Sequence, residues 1–140
     1  MSLPLDGILV VSMEQAVAGP FCSNRLKQSG ARVIKIERKD GGDFARGYDT
    51  AAEGESSYFT WLNQGKESIA LDLKTNCDRR IFLKMIAKAD IFIQNFSPTT
   101  VTKLSIDSSS LNSINPRLIL SLIHISEPTR QEAMSFAVFC

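Results

Sequence analysis

Short apolar runs alternate with segments of helical period along most of this chain. "ILVVSM" (Ile8–Met13) is too continuously apolar for a one-sided strand and suits a parallel strand buried on both faces. "AGPFCSNRLKQSG" then reads as a helix: Gly19 can cap it, Pro20 suits its first position and Gly30 suits a left-handed stop. "ARVIKIER" (Ala31–Arg38) reads as a second strand, which a right-handed crossover would set parallel to the first. After the Gly-rich, charged and aperiodic stretch Lys39–Ser57, read as a long loop of the kind that is usually functional or mobile, "SIALDLK" (Ser68–Lys74) is the third strand. Thr75 opens a helix with capping-box spacing to Asp78, and Ile81, Phe82, Met85, Ile86 and Ala89 keep helical period. "ADIFIQNF" (Ala89–Phe96) is the fourth strand. Short helices near Thr99–Leu104 and Asp107–Ile114 lead to a last strand from about Arg117 to Ile123. Strands alternating with helices predict an α/β domain with a mostly parallel sheet.

Composition narrows the function classes. The 140 residues, 44% hydrophobic and 22% charged, suit one modest soluble domain. A net charge of +1 offers no polyanion-binding surface, which argues against nucleic acid as a partner. No apolar run approaches the roughly 18–20 residues that span a bilayer, so no membrane is implied. "MSLPLDGILVV" has no basic region ahead of its apolar segment, which argues against a secretory signal. Cys22 and Cys77 lack metal-type spacing and read as buried, reduced thiols in a reducing cytosol; no metal is expected.

In open α/β sheets, ligands bind outside the carboxyl ends of the strands. That rule selects Glu14, Gln15, Ala16, Val17 and Ala18 after the first strand, Arg38 after the second, Lys74 after the third, and Asn95 and Phe96 after the fourth. Two cations, an amide and a helix N-terminus on one edge suit an anionic, hydrogen-bonding ligand such as a nucleotide pyrophosphate. Against this, Arg38 and Lys74 taken singly read as solvated or ion-paired surface residues, and Asn95 as a turn residue. "AVAGP" is not a GxGxxG fingerprint and carries no separate dinucleotide claim.

The segments "PLDGILVVSMEQAVAGPFCSNRLKQSGARVIKIER", "GGDFARG", "SSYFTWLNQGKESIALDLKT", "ADIFIQNFSP" and "INPRLI" together resemble the N-terminal part of a family III CoA-transferase. This family includes formyl-CoA transferase, the carnitine CoA-transferases and the α-methylacyl-CoA racemases, and "SSYFTWLNQGKES" is closer to the dicarboxylate-type transferases. The resemblance implies a Rossmann-like fold, with this chain as the incomplete N-terminal part of a larger domain. It also implies an interlocked homodimer in the full-length protein. The substrates would be a CoA thioester and a carboxylic acid, with no permanently bound cofactor. The implied location is cytoplasmic, with mitochondria or peroxisomes left open for a eukaryotic source.

Carried over by position, Val17 and Ala18 fall where the family's first turn meets coenzyme A, and Arg38 near its adenine and phosphate end. Leu71 to Lys74 fall beside the adenosine 3′-phosphate, and Asn95, Phe96 and Ser97 at the turn after the fourth strand. Ser97 replaces a usual glycine, and Lys103 stands where arginine is common, keeping the charge but not the planar fork. The family's aspartate nucleophile lies beyond the matching region. None of Asp40, Asp43, Asp49, Asp72, Asp78, Asp90 and Asp107 matches it, so the catalytic residues stay unknown. Two other readings remain open: an acyl-CoA racemase or epimerase of the same family, and a non-catalytic nucleotide-binding module.

The end of the chain reads differently. Read back into codons, "LSLIHISEPTR" (Leu120–Arg130) resembles the transposase adapter of short-read sequencing libraries. Gln131–Ala133 then fill an index-length gap, and "MSFAVFC" follows the adapter's end with single-base differences at Met134 and Phe136. The expectation is a native segment, 1–119, and a non-native tail, 120–140. On that reading, His124 is no catalytic base and Cys140 no nucleophile. The apolar tail residues Leu120, Leu122 and Ile123 are expected to extend the last strand, Pro128 to stop it, and Thr129–Cys140 to form helix or coil without function.

Overall fold

The computed structural model describes residues 2–122. Its elements are β1 (Leu9–Met13), α1 (Ala18–Gln28), β2 (Arg32–Glu37), a 3-10 turn (Phe44–Gly47), α2 (Ser57–Asn63) and β3 (Glu67–Ala70). They continue with α3 (Asn76–Ile86), β4 (Ile91–Gln94), α4 (Pro98–Leu104), α5 (Ser108–Asn112) and β5 (Ile119–Leu122). The strands form one parallel sheet in the order β3-β2-β1-β4-β5. The chain winds outward from β1 to β3 and then returns to the other side of β1. The strand order therefore reverses between β1 and β4, where doubly wound sheets open a crevice.

The two-residue period of the strands divides the core. Val10, Val33 and Ile93 face α1, whose Cys22 and Leu26 pack over them. Val11, Ile36 and Phe92 face the opposite layer and meet Phe82 and Ile86 of α3, Val101 of α4 and Leu111 of α5. Phe82 and Phe92 are fully buried and pack edge-on, with ring centroids 5.6 Å apart. Burial alone is worth about 1.5–3 kcal/mol for each ring.

The mostly parallel α/β architecture is as the patterning predicts, but several boundaries differ. α1 starts at Ala18 with Val17 as its cap residue, so Gly19 is not the cap and Pro20 is third rather than first in the helix. Proline fits there because the first-turn N–H groups have no intrahelical partner to lose. Gly30 does end α1, at φ +107°. Thr75 Oγ1 accepts from the Asp78 amide at 3.4 Å, but the reciprocal half of the capping box is absent. The Asp78 carboxylate instead takes the Asp72 amide at 2.8 Å and Lys39 at 2.6 Å. Cys77, in the first turn of α3, is exposed rather than buried, while Cys22 is half-buried.

β3 is shorter than its apolar pattern. Leu71 N still reaches Glu37 O at 3.0 Å, after which Asp72 Oδ1 accepts from Lys74 N and turns the chain out of the sheet. The long loop folds into the 3-10 turn and then α2, whose cap Ser56 accepts from Phe59 N. β5 spans Ile119–Leu122, with Leu120 packed against the larger core cluster. Ile123, His124, Pro128 and the expected helix or coil over Thr129–Cys140 lie outside the described residues.

Candidate functional site

The turn leaving β1 is held in an unusual shape. Ala16 sits at φ +64°, a left-handed conformation costing a non-glycine residue roughly 1–2 kcal/mol. Two side chains from distant segments stabilise it. Asn95, just past β4, accepts from Gln15 N at 3.0 Å and donates to Gln15 O at 2.8 Å. Asp43 Oδ1, from the loop after β2, accepts from Ala16 N at 3.1 Å. Gly19 permits the close approach behind this turn: a Cβ there would lie 2.8 Å from Glu14 Cβ.

A small open cleft lies on the same edge, lined by Met13 to Gln15, Ile36 to Arg38, Gly42, Asp43, Leu71 and Phe96. Arg38 is exposed, and its Nε and Nη2 both donate to Gly42 O, at 3.2 and 3.1 Å, which fixes the guanidinium against the loop. Of the residues selected from sequence, Glu14, Gln15, Arg38, Leu71 and Phe96 line the cleft, and Asn95 shapes it by clamping Gln15. Val17, Ala18, Lys74, Ser97 and Lys103 do not line it. Val17 and Ala18 are exposed at the start of α1, and Lys74 is exposed beyond β3. Ser97 caps α4 by accepting from Thr100 N at 3.3 Å, and Lys103 lies exposed in that helix's last turn.

Behind the cleft runs a network of buried charge that the sequence reading did not identify. Lys35 and Asp43 pair at 2.6 Å with both side chains nearly inaccessible, and Lys66 and Glu14 pair likewise at 2.9 Å. Asn63 Oδ1 joins the two pairs, accepting from Lys35 and from Lys66 at 3.0 Å each. Glu14 also accepts from Ser23 Oγ at 2.6 Å, while its Oε2 has no hydrogen-bond partner among the described residues. Glu37 takes a two-pronged bond from Arg46, at 2.9 and 2.8 Å, together with the Asp43 amide and Ser68 Oγ. Burial pushes the Glu37 carboxyl up, but those bonds outweigh it and hold the group at about 2. Burial likewise pushes the Lys66 ammonium down, against the pull of Glu14. Period two was the available signal: Val33, Lys35 and Glu37 share a face of a strand buried on both sides, where a charge must be paired.

This arrangement binds better than it reacts. The cleft carboxylates Glu14, Glu37 and Asp43 are each committed to a cation, so none is a free nucleophile. Apolar side chains beside one exposed guanidinium suit a flat apolar group next to an anion. Among the described residues, no group of three His, Cys, Asp or Glu could hold a metal ion, and no helix is long and apolar enough to cross a membrane.

Comparisons with known proteins agree with the fold. The family model described as CoA-transferase family III matches residues 5–125, six residues past Ile119. Acetyl-CoA:oxalate CoA-transferase of Acetobacter aceti is 45% identical over 116 residues, covering 83% of this chain and 30% of that protein. Succinyl-CoA:mesaconate CoA-transferase of Haloarcula hispanica is 39% identical, covering 85% and 31%. Among solved structures, a CAIB/BAIF family protein from Brucella suis superposes with a TM-score of 0.78 at 37% identity, covering 86% of this chain and 33% of that one. A hypothetical protein from Mycobacterium tuberculosis gives 0.82 at 33% identity, covering 94% and 36%. The chain thus spans about a third of the length of the curated relatives it matches. With the family model matching most of the chain and a CAIB/BAIF family protein superposing on it, the protein belongs to CoA-transferase family III.

Proposed function

We propose that the full-length protein transfers CoA from an acyl-CoA to a carboxylic acid of the dicarboxylate class, and that this chain supplies the edge that holds CoA. The observation that carries this reading is the cleft at the carboxyl ends of β1, β2 and β3, where Arg38, Leu71 and, from beyond β4, Phe96 converge beside the clamped turn. Arg38 serves the adenine and phosphate end, while Val17 and Ala18 sit where the first turn meets CoA. Leu71 and Lys74 flank the 3′-phosphate, with Asn95, Phe96 and Ser97 at the turn and Lys103 as a point charge. The names of the relatives, which pair CoA with oxalate and mesaconate, support the acceptor class.

In the proposed chemistry, an aspartate outside the matching region adds to the thioester carbonyl and displaces CoA thiolate, leaving a mixed anhydride. The thiolate attacks the aspartyl carbonyl, releasing the donor acid and forming an aspartyl thioester. The acceptor carboxylate displaces the thiolate to give a second anhydride. Thiolate attack on the acceptor's acyl carbon then yields the new thioester and frees the aspartate. No bound cofactor enters these steps. The working form is an interlocked homodimer in the cytoplasm.

The test is to incubate the full-length enzyme with acetyl- or succinyl-CoA and oxalate, mesaconate or malate, following new thioesters by mass spectrometry. A new dicarboxyl-CoA supports transfer. Exchange of the α-proton without transfer indicates a racemase, and CoA binding without turnover indicates a binding module. The tail reading has its own test: residues 1–119 are the native segment and 120–140 translated adapter. Sequencing source DNA across the Ile119 codon should therefore give different codons beyond it, and adapter-like bases in the intact gene would refute it.

A further inference from the structure

We propose that Asp43 is the positioning residue of the CoA edge, anchored by the buried Lys35 charge and setting the turn at Ala16 against the opposite wall of the cleft; this rests on the CoA reading above. Asp43 reaches three separate segments with one carboxylate. Its Oδ2 takes Lys35 Nζ of β2 at 2.6 Å, and its Oδ1 takes Ala16 N of the β1 exit and Ala45 N of the 3-10 turn, at 3.1 and 2.9 Å. Its side chain is wholly inaccessible, so it acts through these partners rather than on a ligand.

The partners frame the cleft. Ala16 follows Gln15 on one wall, and Gly42, which accepts both Arg38 bonds, precedes Asp43 on the other. Fixing Asp43 therefore fixes the spacing between the Gln15 backbone and the Arg38 guanidinium. Lys35 is the anchor because moving the carboxylate away would leave a buried ammonium uncompensated, and Asn63 ties that ammonium to α2.

The distinguishing variants are Lys35→Met with Asp43→Asn and Lys35→Met with Asp43→Leu, made in the full-length enzyme. Both remove the buried charge pair, but only the asparagine keeps an oxygen for Ala16 N. The asparagine form should bind CoA at least tenfold more tightly than the leucine form. The leucine form's loss should appear in KM for the CoA thioester, with KM for the acceptor acid moving less than twofold. Equal CoA affinity in the two forms, or equal rises in both KM values, would overturn the proposal. If the double variants fail to fold, Asp43→Glu keeps the charge but displaces the carboxylate from Ala16. It should weaken CoA binding and speed amide exchange at Ala16, and wild-type values for both would overturn the proposal. A wild-type enzyme that does not bind CoA would instead refute the CoA reading, while unchanged Ala16 exchange in Asp43→Glu would still refute the clamp.

Discussion

Asn95 holds Gln15 at two points, accepting from its amide at 3.0 Å and donating to its carbonyl at 2.8 Å across the reversal between β1 and β4. A side chain chosen from sequence as a ligand contact thus spends its amide group on the protein's own backbone. It shapes the site by fixing the turn that borders the cleft.

Asn95→Ala leaves both Gln15 groups without their partner. Unfolding of the full-length enzyme by urea should show a loss of about 1–3 kcal/mol. Asn95→Asp, which keeps only the acceptor, should fall between. A loss below about 0.5 kcal/mol for the alanine variant would mean that the clamp is not holding the turn.

What sequence could reveal here followed from burial. β1 is a nearly continuous apolar run because both its faces are covered, and α3 shows a clear stripe because Phe82 and Ile86 point inward. α2 was invisible because Leu62 is its one buried residue while Tyr58 and Trp61 stand exposed, so no stripe forms. The charge network was hidden for a different reason. Lysine and glutamate are read as solvated by default, and only tertiary folding brings Lys66 to Glu14 across 52 positions. The cleft residues Arg38 and Phe96 were found because strand ends can be located without knowing the packing.

Glu37 links acid stability to this network. Its carboxyl is held at about 2 against an ordinary 4.5, so the folded state disfavours its protonation. The stability it contributes is present above about pH 4.5 and is lost as pH falls toward 2. The difference in unfolding free energy between wild type and Glu37→Gln should shrink across that window. A difference independent of pH would contradict the assignment.

Gly19→Ala should destabilise the enzyme by about 1–3 kcal/mol and weaken CoA binding, since the added carbon meets Glu14 at 2.8 Å and Asn95 at 3.4 Å. Gly47→Ala, with nothing within 4 Å, is the control and should stay within about 0.5 kcal/mol in thermal unfolding. Equal effects of the two would remove the close-packing argument.

The 140-residue chain by itself should self-associate. Phe21 and Trp61 pack at 6.1 Å while each remains about half exposed, and Phe44, Tyr48 and Tyr58 form a second exposed aromatic group. Exposed apolar surface of this kind favours association. Light scattering should report oligomers or aggregates; a monodisperse monomer with a sharp cooperative melt would contradict this.

The central claim is that this edge of the sheet holds coenzyme A, and calorimetric titration of CoA into the full-length enzyme and its Arg38→Ala variant tests it most directly. Wild type should bind, and the variant should lose about 1.5–3 kcal/mol, the worth of a hydrogen bond to a charged group. Wild-type affinity in the variant, or no binding by either protein, would contradict the account.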